Sequence, residues 1–175
     1  MSRAFLKEST LEEEEVIPRP VPLLPSGAKN YVTAQGIDLL RAELTRLIER
    51  EGPSLATLPQ EDPDTKRLRQ ILGRRVDYLR ESLRTAETPV RPAGEDRVEF
   101  GSTVTVRDPD KTESTYHLVG VDEADPGQNR ISWLAPIARA LWHARVGERV
   151  PFLLPSGPSK LEIVAIAYPA PVQNP

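Results

Sequence analysis

The prolines constrain this chain more than any other residue type, because they divide it into segments that can and cannot form helices. The chain has 18 prolines among 175 residues, and four of them fall at positions 18, 20, 22 and 25. None occurs in residues 26–52 or in residues 64–88. Inside a helix, proline lacks the backbone N–H and clashes with the preceding turn. These two proline-free segments are therefore the first candidates for helices.

Both proline-free segments have the spacing of amphipathic helices. In residues 33–51, with Thr33 as the N-cap, the apolar positions are Ile37, Leu40, Leu44, Leu47 and Ile48. Gly52 and Pro53 predict the end of this helix. In residues 64–86 the apolar positions are Leu68, Leu72, Val76, Leu79 and Leu83. Two narrow apolar stripes joined by a short loop bury each other most simply as an antiparallel helical hairpin, a coiled coil over residues 30–86 with arms of roughly 30 Å.

The connection between the helices, residues 52–63, ends in acidic residues at the tip of the predicted hairpin. Glu61, Asp62 and Asp64 place three carboxylates within four residues. Mg²⁺ prefers oxygen ligands, so these carboxylates are a candidate site for transient magnesium binding. Turn formation explains the same residues, because Asp and Pro both favour turns. Both interpretations stay open at this point.

The predicted second helix is strongly basic. Its cations are Lys66, Arg67, Arg69, Arg74, Arg75, Arg80 and Arg84, and its acids are Asp64, Asp77 and Glu81. The arginines form either a solvated face or a contact surface for acidic groups or phosphates. The sequence does not decide between these two interpretations.

After residue 94 the apolar residues alternate, which is typical of strands. Strands are predicted around residues 98–106, 115–121, 131–134, 150–154 and 161–168, with a short helix at 136–144 that begins at Pro136. The fold class is therefore α+β, with the helical hairpin followed in residues 95–170 by an antiparallel sheet and one short helix. We assign residues 1–29 to a flexible, acidic and proline-rich arm, 87–94 to a linker and 171–175 to a tail.

The composition excludes several classes of function. Without cysteine there is no disulfide framework, thiolate metal site or cysteine nucleophile. The net charge of −3 argues against a nucleic-acid coat. No apolar run approaches the roughly 20 residues of a membrane span, and residues 1–8 have no hydrophobic signal core. His117 and His143 are isolated, so we interpret both as structural. We expect a cytoplasmic, monomeric protein that is not itself an enzyme and binds no cofactor stably.

Several segments resemble the GreA/GreB family of bacterial transcription elongation factors. In the C-terminal half these are residues 100–106 (FGSTVTV), 116–126 (YHLVGVDEADP), 136–141 (PIARAL), 146–150 (VGERV) and 161–168. In the helical half, Tyr31, Val32, Thr33 and Gly36 resemble the start of the family's first helix, and residues 74–79 (RRVDYL) resemble its return helix. The resemblance covers residues 30–50 and 66–168.

The resemblance implies a fold and a role. Family members grip the rim of the RNA polymerase secondary channel with a C-terminal domain that is similar to FKBP, and they insert the hairpin into the channel. Acidic tip residues then help the polymerase hold a second Mg²⁺ and cleave backtracked RNA. Nucleic acids are reached only through the polymerase. By the same resemblance, the expected polymerase contacts are Asp122, Glu123, Asp125, Pro136, Ile137, Arg139 and Leu141, although Ile137 and Leu141 also suit packing of the short helix on the sheet.

The sequence departs from the family pattern at the hairpin tip. The usual tip has an acidic pair around an Asn-Ala-acidic-Tyr motif, which this chain lacks. The first arm is shorter by roughly ten residues, which reduces its reach by on the order of 10–15 Å. A shortened hairpin is similar to Rnk, a Gre-like polymerase binder without cleavage function. We therefore predict a factor that modulates transcription without strong cleavage. The alternatives are a cleavage factor that uses Glu61, Asp62 and Asp64, and an FKBP-like peptide binder.

Overall fold

The computed structural model describes residues 24–90, 94, 96–154 and 157–169. Most of the predicted arm (residues 1–23), residues 91–93 and 95 of the linker region and the predicted tail lie outside the described residues. The two helical arms fall within residues 30–86, and the strands, together with one short helix, fall within residues 95–170. Among the described residues, no helix is both long and apolar enough to cross a membrane.

The first arm is helical from residue 34 to residue 56. It consists of α1 (Ala34–Arg46), a π-helical turn (Leu47–Glu51) and α2 (Gly52–Ala56). The predicted cap is confirmed, because the Thr33 Oγ1 accepts a hydrogen bond from the Gly36 N–H at 2.9 Å. The predicted end at Gly52 is wrong. Pro53 lies in the first turn of α2, where its missing N–H costs no intrahelical hydrogen bond.

The return arm is α3 (Pro63–Thr85), which has 23 residues. The first arm also spans 23 residues, so the two arms match in length at about 35 Å. Contacts between the arms run in opposite chain order: Asn30 contacts Ser82, Glu43 contacts Arg75, and Leu55 contacts Arg69. The arms are therefore antiparallel.

Apolar side chains form the seam between the two arms. Val32, Leu40, Leu47, Val76 and Leu79 are buried there. Two residues of the predicted stripes are more exposed, Ile48 by 43% and Leu68 by 37%. Leu47 takes the buried position in the first arm, and Ile48 lies about 100° further around the helix, so it faces solvent.

The C-terminal part is a five-stranded sheet. Its strands are β1 (Thr103–Arg107), β2 (Glu113–Val119), β3 (Arg130–Ser132), β4 (Arg149–Leu154) and β5 (Gly157–Ala167), in the order β3-β2-β1-β5-β4. The prediction of a wholly antiparallel sheet is wrong, because β2 and β3 pair in parallel. Residues 120–129 contain two 3₁₀ turns, Val121–Glu123 and Pro126–Gln128, and carry the chain back to His117 in the second half of β2, where the pairing with β3 begins. The α+β class is confirmed.

One short helix, α4 (Pro136–Leu141), packs on this sheet. It ends before the predicted Ala144, and His143 has a φ of 63°, in the left-handed region. The core beneath it contains Val98, Val104, Val106, Leu118, Leu141 and Ile163. His117 has a structural setting in β2: its Nδ1 lies 2.8 Å from the Thr103 Oγ1, and burial together with the Arg130 charge lowers its pKa.

Candidate functional site

The hairpin tip is a short loop, residues 57–62, that is held closed by an arginine. The Arg69 Nη2 donates hydrogen bonds to the carbonyl oxygens of Leu55 at 2.8 Å and Leu58 at 3.2 Å. The Leu55 carbonyl lies in the last turn of α2, where it also accepts from the Leu58 N–H at 3.3 Å, and the Leu58 carbonyl lies in the loop itself. Arg69, predicted as part of a basic face, therefore stabilises the loop that carries the tip acids.

The three tip acids have separate roles. The Glu61 Oε2 lies 2.9 Å from the Lys66 Nζ. The Asp62 Oδ2 caps α3 by accepting hydrogen bonds from the Thr65 N–H and the Thr65 hydroxyl, both at 2.8 Å. Asp64 is exposed in the first turn of α3, where a negative charge favours the helix. The arrangement favours the interpretation of these residues as a turn and a helix cap.

No group of three or more His, Cys, Asp or Glu side chains among the described residues is arranged to hold a metal ion. The predicted magnesium site at Glu61, Asp62 and Asp64 is therefore not preformed at the tip. The Asp62 carboxylate already accepts two hydrogen bonds, and Glu61 is paired with a cation. Gathering these oxygens around an ion would require both interactions to rearrange.

The Asp62 cap predicts a pH dependence of stability. Hydrogen bonds from the Thr65 side chain and backbone lower the pKa of Asp62. A lowered pKa means that the stabilisation is present above the unfolded value of about 3.9 and is lost as the pH falls through the folded value. We expect Asp62→Asn, which keeps a capping oxygen, to lose part of this acid sensitivity. Urea midpoints measured between pH 2 and pH 6 test this, and identical pH profiles for the two proteins would contradict it.

The predicted acidic docking residues of the C-terminal domain are engaged within the chain. Asp125 caps its own turn, since its Oδ1 accepts from the Gly127 N–H at 3.0 Å. Asp122 and Glu123 bond to the helical arms. Each of the three carboxylates therefore already has a hydrogen-bond donor in the same molecule. Glu123 is buried, whereas Asp122 and Asp125 are partly exposed, and the polymerase contact of these residues stays a prediction.

Glu123 is buried at the start of α1. Only 4% of the residue is exposed. Its Oε2 accepts from the Thr33 N–H at 2.9 Å and from the Gly120 N–H at 3.0 Å, and its Oε1 accepts from the Thr33 hydroxyl. The Arg130 Nη2 lies 3.8 Å from the same Oε1. A buried carboxylate with these donors fixes α1 to the turn after β2.

Asp122 makes the matching connection to α3. Its Oδ1 accepts a hydrogen bond from the Tyr78 Oη at 2.7 Å, and its Oδ2 accepts from the Ser82 Oγ at 2.8 Å. Burial and the Asp122 charge raise the pKa of Tyr78, so the phenol stays a donor at neutral pH. Asp122 and Glu123 are named here the carboxylate clamp, because each holds one arm of the hairpin.

The second group of predicted docking residues lies on α4. Pro136 and Arg139 are exposed. Leu141 is fully buried, and Ile137 is half-buried against the same core. The packing interpretation of the sequence therefore holds for these two apolar residues, and the outer side of α4 presents Pro136 and Arg139.

Sequence reasoning missed a buried ion pair inside the hairpin. Arg75, which was predicted as part of the basic face, is 3% exposed. Its Nε and Nη2 donate to the two Glu43 carboxylate oxygens at 2.8 and 2.9 Å. Its spacing carries the signal: Arg75 lies three residues after Leu72 and four before Leu79, which places it on the buried face of α3.

A small surface cavity of about 260 Å³ on the sheet is lined by Pro151, Phe152, Leu153, Pro158 and Ser159. It contains a single aromatic ring. Other aromatic side chains stack elsewhere, with the Tyr31 ring centroid 4.9 Å from Trp133 and 5.5 Å from Phe100. Because Tyr31 precedes α1 and Trp133 follows β3, these rings help to join the two parts of the protein.

The fold and site together define a class of two-part proteins, in which a protruding helical pair is anchored at its base to a small α+β domain. A profile of the family "Transcription elongation factor, GreA/GreB, C-term" matches residues 93–168. The chain is 35% identical to transcription elongation factor GreB of Neisseria meningitidis serogroup B, over 80% of this chain and 94% of that protein. It is 33% identical to GreA of Hyphomonas neptunium, over 78% of this chain and 96% of that protein. The chain belongs to the GreA/GreB family of transcription elongation factors.

Two solved structures are also similar. GreA factor homolog 1 (Gfh1) of Thermus thermophilus is 25% identical with a TM-score of 0.37, covering 80% of this chain and 99% of that one. The GreA/GreB factor from Nitrosomonas europaea is 24% identical with a TM-score of 0.41, and the match covers 81% of this chain and 99% of that one.

Proposed function

We propose that this protein binds bacterial RNA polymerase at the secondary channel and modulates transcription without strong stimulation of transcript cleavage. The C-terminal domain, which is FKBP-like by the family resemblance, contacts the channel rim through the outer side of α4, at Pro136 and Arg139. The hairpin enters the channel. The factor acts in the cytoplasm as a monomer and approaches RNA and DNA only through the polymerase.

The hairpin tip carries this proposal. Cleavage requires carboxylates that are free to share a Mg²⁺ with the polymerase, and ligand distances at a metal vary by only about 0.2 Å. Here Asp62 is committed to the cap of α3 and Glu61 is paired with Lys66. Asp64 has no described side-chain partner at the tip, and Glu61 has only an exposed pairing with Lys66, which is weak. Asp62 is the acid that is committed within the chain, so the three carboxylates do not form one ready ligand set.

The length of the chain supports the same conclusion. The alignment with the Neisseria GreB has 155 positions, but 80% of this chain's 175 residues is about 140, so about 15 positions have no residue here. If these fall in the helical arms, the tip reaches less far than that of the relative. The matched 23-residue arms leave no additional helical segment beyond residue 56 or before residue 63.

Competition with an active cleavage factor tests the proposal. We expect increasing concentrations of this protein to slow RNA shortening by a cleavage-competent GreB on a purified, backtracked elongation complex, because both occupy one channel. Added alone, the protein leaves the shortening rate close to that of the polymerase. Arg139→Glu reverses a charge on the outer side of α4 and should weaken the competition, whereas Asp110→Asn, in the exposed β1–β2 turn, should not.

The second candidate, a true cleavage factor, is favoured by the exposure of Asp64 and Glu61 at the tip. It predicts that the protein alone speeds Mg²⁺-dependent RNA shortening by orders of magnitude. The variant Glu61→Gln, Asp62→Asn, Asp64→Asn keeps side-chain shapes and the helix cap while it removes three charges. Strong cleavage by the native protein that this variant abolishes would establish the second candidate, and no competition in the first assay would refute the first.

A further inference from the structure

The carboxylate clamp connects one short turn to both arms of the hairpin. Asp122 and Glu123 are adjacent in the 3₁₀ turn after β2, yet they bind different helices. Asp122 binds the side chains of Tyr78 and Ser82 in α3, and Glu123 binds the backbone and hydroxyl of Thr33 at the start of α1. Holding both arms at their base fixes more than the position of the hairpin, because two separate attachment points also resist its rotation.

The α3 side of the clamp is part of a larger polar network. The Ser82 Oγ and the Ser82 carbonyl oxygen both lie within hydrogen-bond distance of the Asn30 Nδ2, at 3.3 and 3.0 Å. The Arg75 guanidinium lies 5.3 Å from the centre of the Tyr78 ring. Burial acts to lower the Arg75 pKa, but Glu43 and, with a smaller effect, Asp122 raise it. Asp122 is therefore surrounded by donors and a cation that belong to the hairpin.

The α1 side of the clamp leaves no free space. A Cβ on Gly36 would lie 2.2 Å from the Glu123 Cδ, and a Cβ on Gly120 would lie 2.4 Å from the Tyr31 carbonyl oxygen. The second of these contacts is with backbone, which cannot move aside as a side-chain tip can. Only glycine at these positions allows the turn and the start of α1 to approach so closely.

We propose that Asp122 and Glu123 are positioning residues that set the direction in which the hairpin projects from the C-terminal sheet. Under the proposed function, this direction decides whether the tip follows the channel once the C-terminal domain is bound to its rim. The clamp itself is a property of the free protein. It can therefore be tested without the polymerase.

Breaking the clamp changes an equilibrium between held and released hairpins. Removing one hydrogen bond to a charged acceptor lowers the ratio of held to released hairpins by about tenfold or more. Tyr78→Phe and Ser82→Ala each remove one bond to Asp122 while keeping most of the side-chain volume. Asp122→Ala removes both, and the expected change in the ratio is on the order of a hundredfold.

Spin-label distances measure the direction of the hairpin in the intact protein. The chain has no cysteine, so the exposed positions Thr57 at the tip and Asp110 in the β1–β2 turn can be labelled selectively as Thr57→Cys and Asp110→Cys. Pulsed electron resonance then gives the distribution of tip-to-sheet distances. We expect one narrow distribution with the native clamp, a minor second component with Tyr78→Phe, and a dominant broad component with Asp122→Ala.

Two further variants keep the test decisive. Asp122→Asn retains an acceptor for Tyr78 and the shape of the side chain, so it should restore most of the narrow distribution. Asp77→Ala removes an exposed acid next to Tyr78 that does not contact the clamp, and it should change nothing. If Asp122→Ala unfolds, the Tyr78→Phe, Ser82→Ala double variant replaces it. A narrow, unchanged distribution in a folded protein that lacks both bonds to Asp122 would overturn the inference.

Polymerase assays then separate the two proposals. If both hold, the Tyr78→Phe, Ser82→Ala double variant keeps its affinity for the polymerase within a few-fold, since the proposed rim contact lies on α4, but loses its ability to block the cleavage factor. A broadened distance distribution together with failure of the native protein to bind polymerase would overturn the proposed function and leave the clamp established.

Discussion

Replacing Leu79 with alanine is expected to destabilise the protein by about 2–5 kcal/mol. Leu79 is fully buried in the seam between the arms and packs with Leu47 and Val76. Its removal leaves a cavity that two helices fixed at their base and tip cannot collapse to fill. Chemical unfolding followed by circular dichroism at 222 nm measures the loss.

The matched control is Leu39→Ala, which removes the same atoms from a position in α1 that is 50% exposed. We expect a change within about 0.5 kcal/mol there, as for surface substitutions generally. Equal effects of the two substitutions would contradict the seam described for the hairpin. Retention of full stability by Leu79→Ala would contradict it directly.

Removing the Glu43 carboxylate is the second substitution with a large expected effect on stability, because it leaves the charge of Arg75 unpaired. Both hydrogen bonds described for Arg75 go to Glu43, and the Arg75 Nη1 is buried without a partner among the described residues. The Arg75 side chain is 4% exposed and that of Glu43 is 23% exposed. Glu43→Ala therefore leaves a buried, uncompensated cation, and we expect it to cost about 3 kcal/mol.

A double substitution distinguishes this cause from simple loss of packing. Glu43→Leu with Arg75→Met removes both charges and keeps apolar volume, and we expect it to recover most of the stability lost in Glu43→Ala. Glu81→Ala breaks the exposed pair with Arg84 on the same helix and should have little effect. If the double variant is as unstable as Glu43→Ala, the uncompensated charge is not the cause.

The helices and most strands are predictable from the sequence because their signals are local. Proline positions, apolar spacing and the Thr33 cap act within a few residues of one another, and they predict α1 and α3 closely. The error at Gly52 arises from a π-helical turn in which the Gly52 N–H bonds to the Leu47 carbonyl, and this places Pro53 in a new first turn. A single irregular hydrogen bond of this kind leaves no periodic signal.

The clamp was not predictable because it joins residues far apart in sequence. Nothing near Asp122 or Glu123 shows that Tyr78 or Thr33 will face them, and two adjacent acids in a turn are typical of a solvated surface. Tyr78 and Ser82 carry a weak signal: they are polar residues on or beside the apolar stripe of α3, so each needs a buried partner.

The separation of the clamp residues along the chain also sets an order of events during synthesis. Glu43 and Arg75 are 32 residues apart, whereas Thr33 and Glu123 are 90 apart. At a translation rate of about 5–20 residues per second, Thr33 waits on the order of ten seconds for Glu123, and the completed helical pair waits about 2–8 seconds after Thr85. Throughout that interval Tyr31 lacks Phe100 and Trp133, the aromatic rings that it contacts in the complete protein. The nascent helical pair therefore leaves the ribosome unanchored, with an exposed aromatic residue at its base. The C-terminal domain is synthesised afterwards and supplies the contacts that anchor the pair.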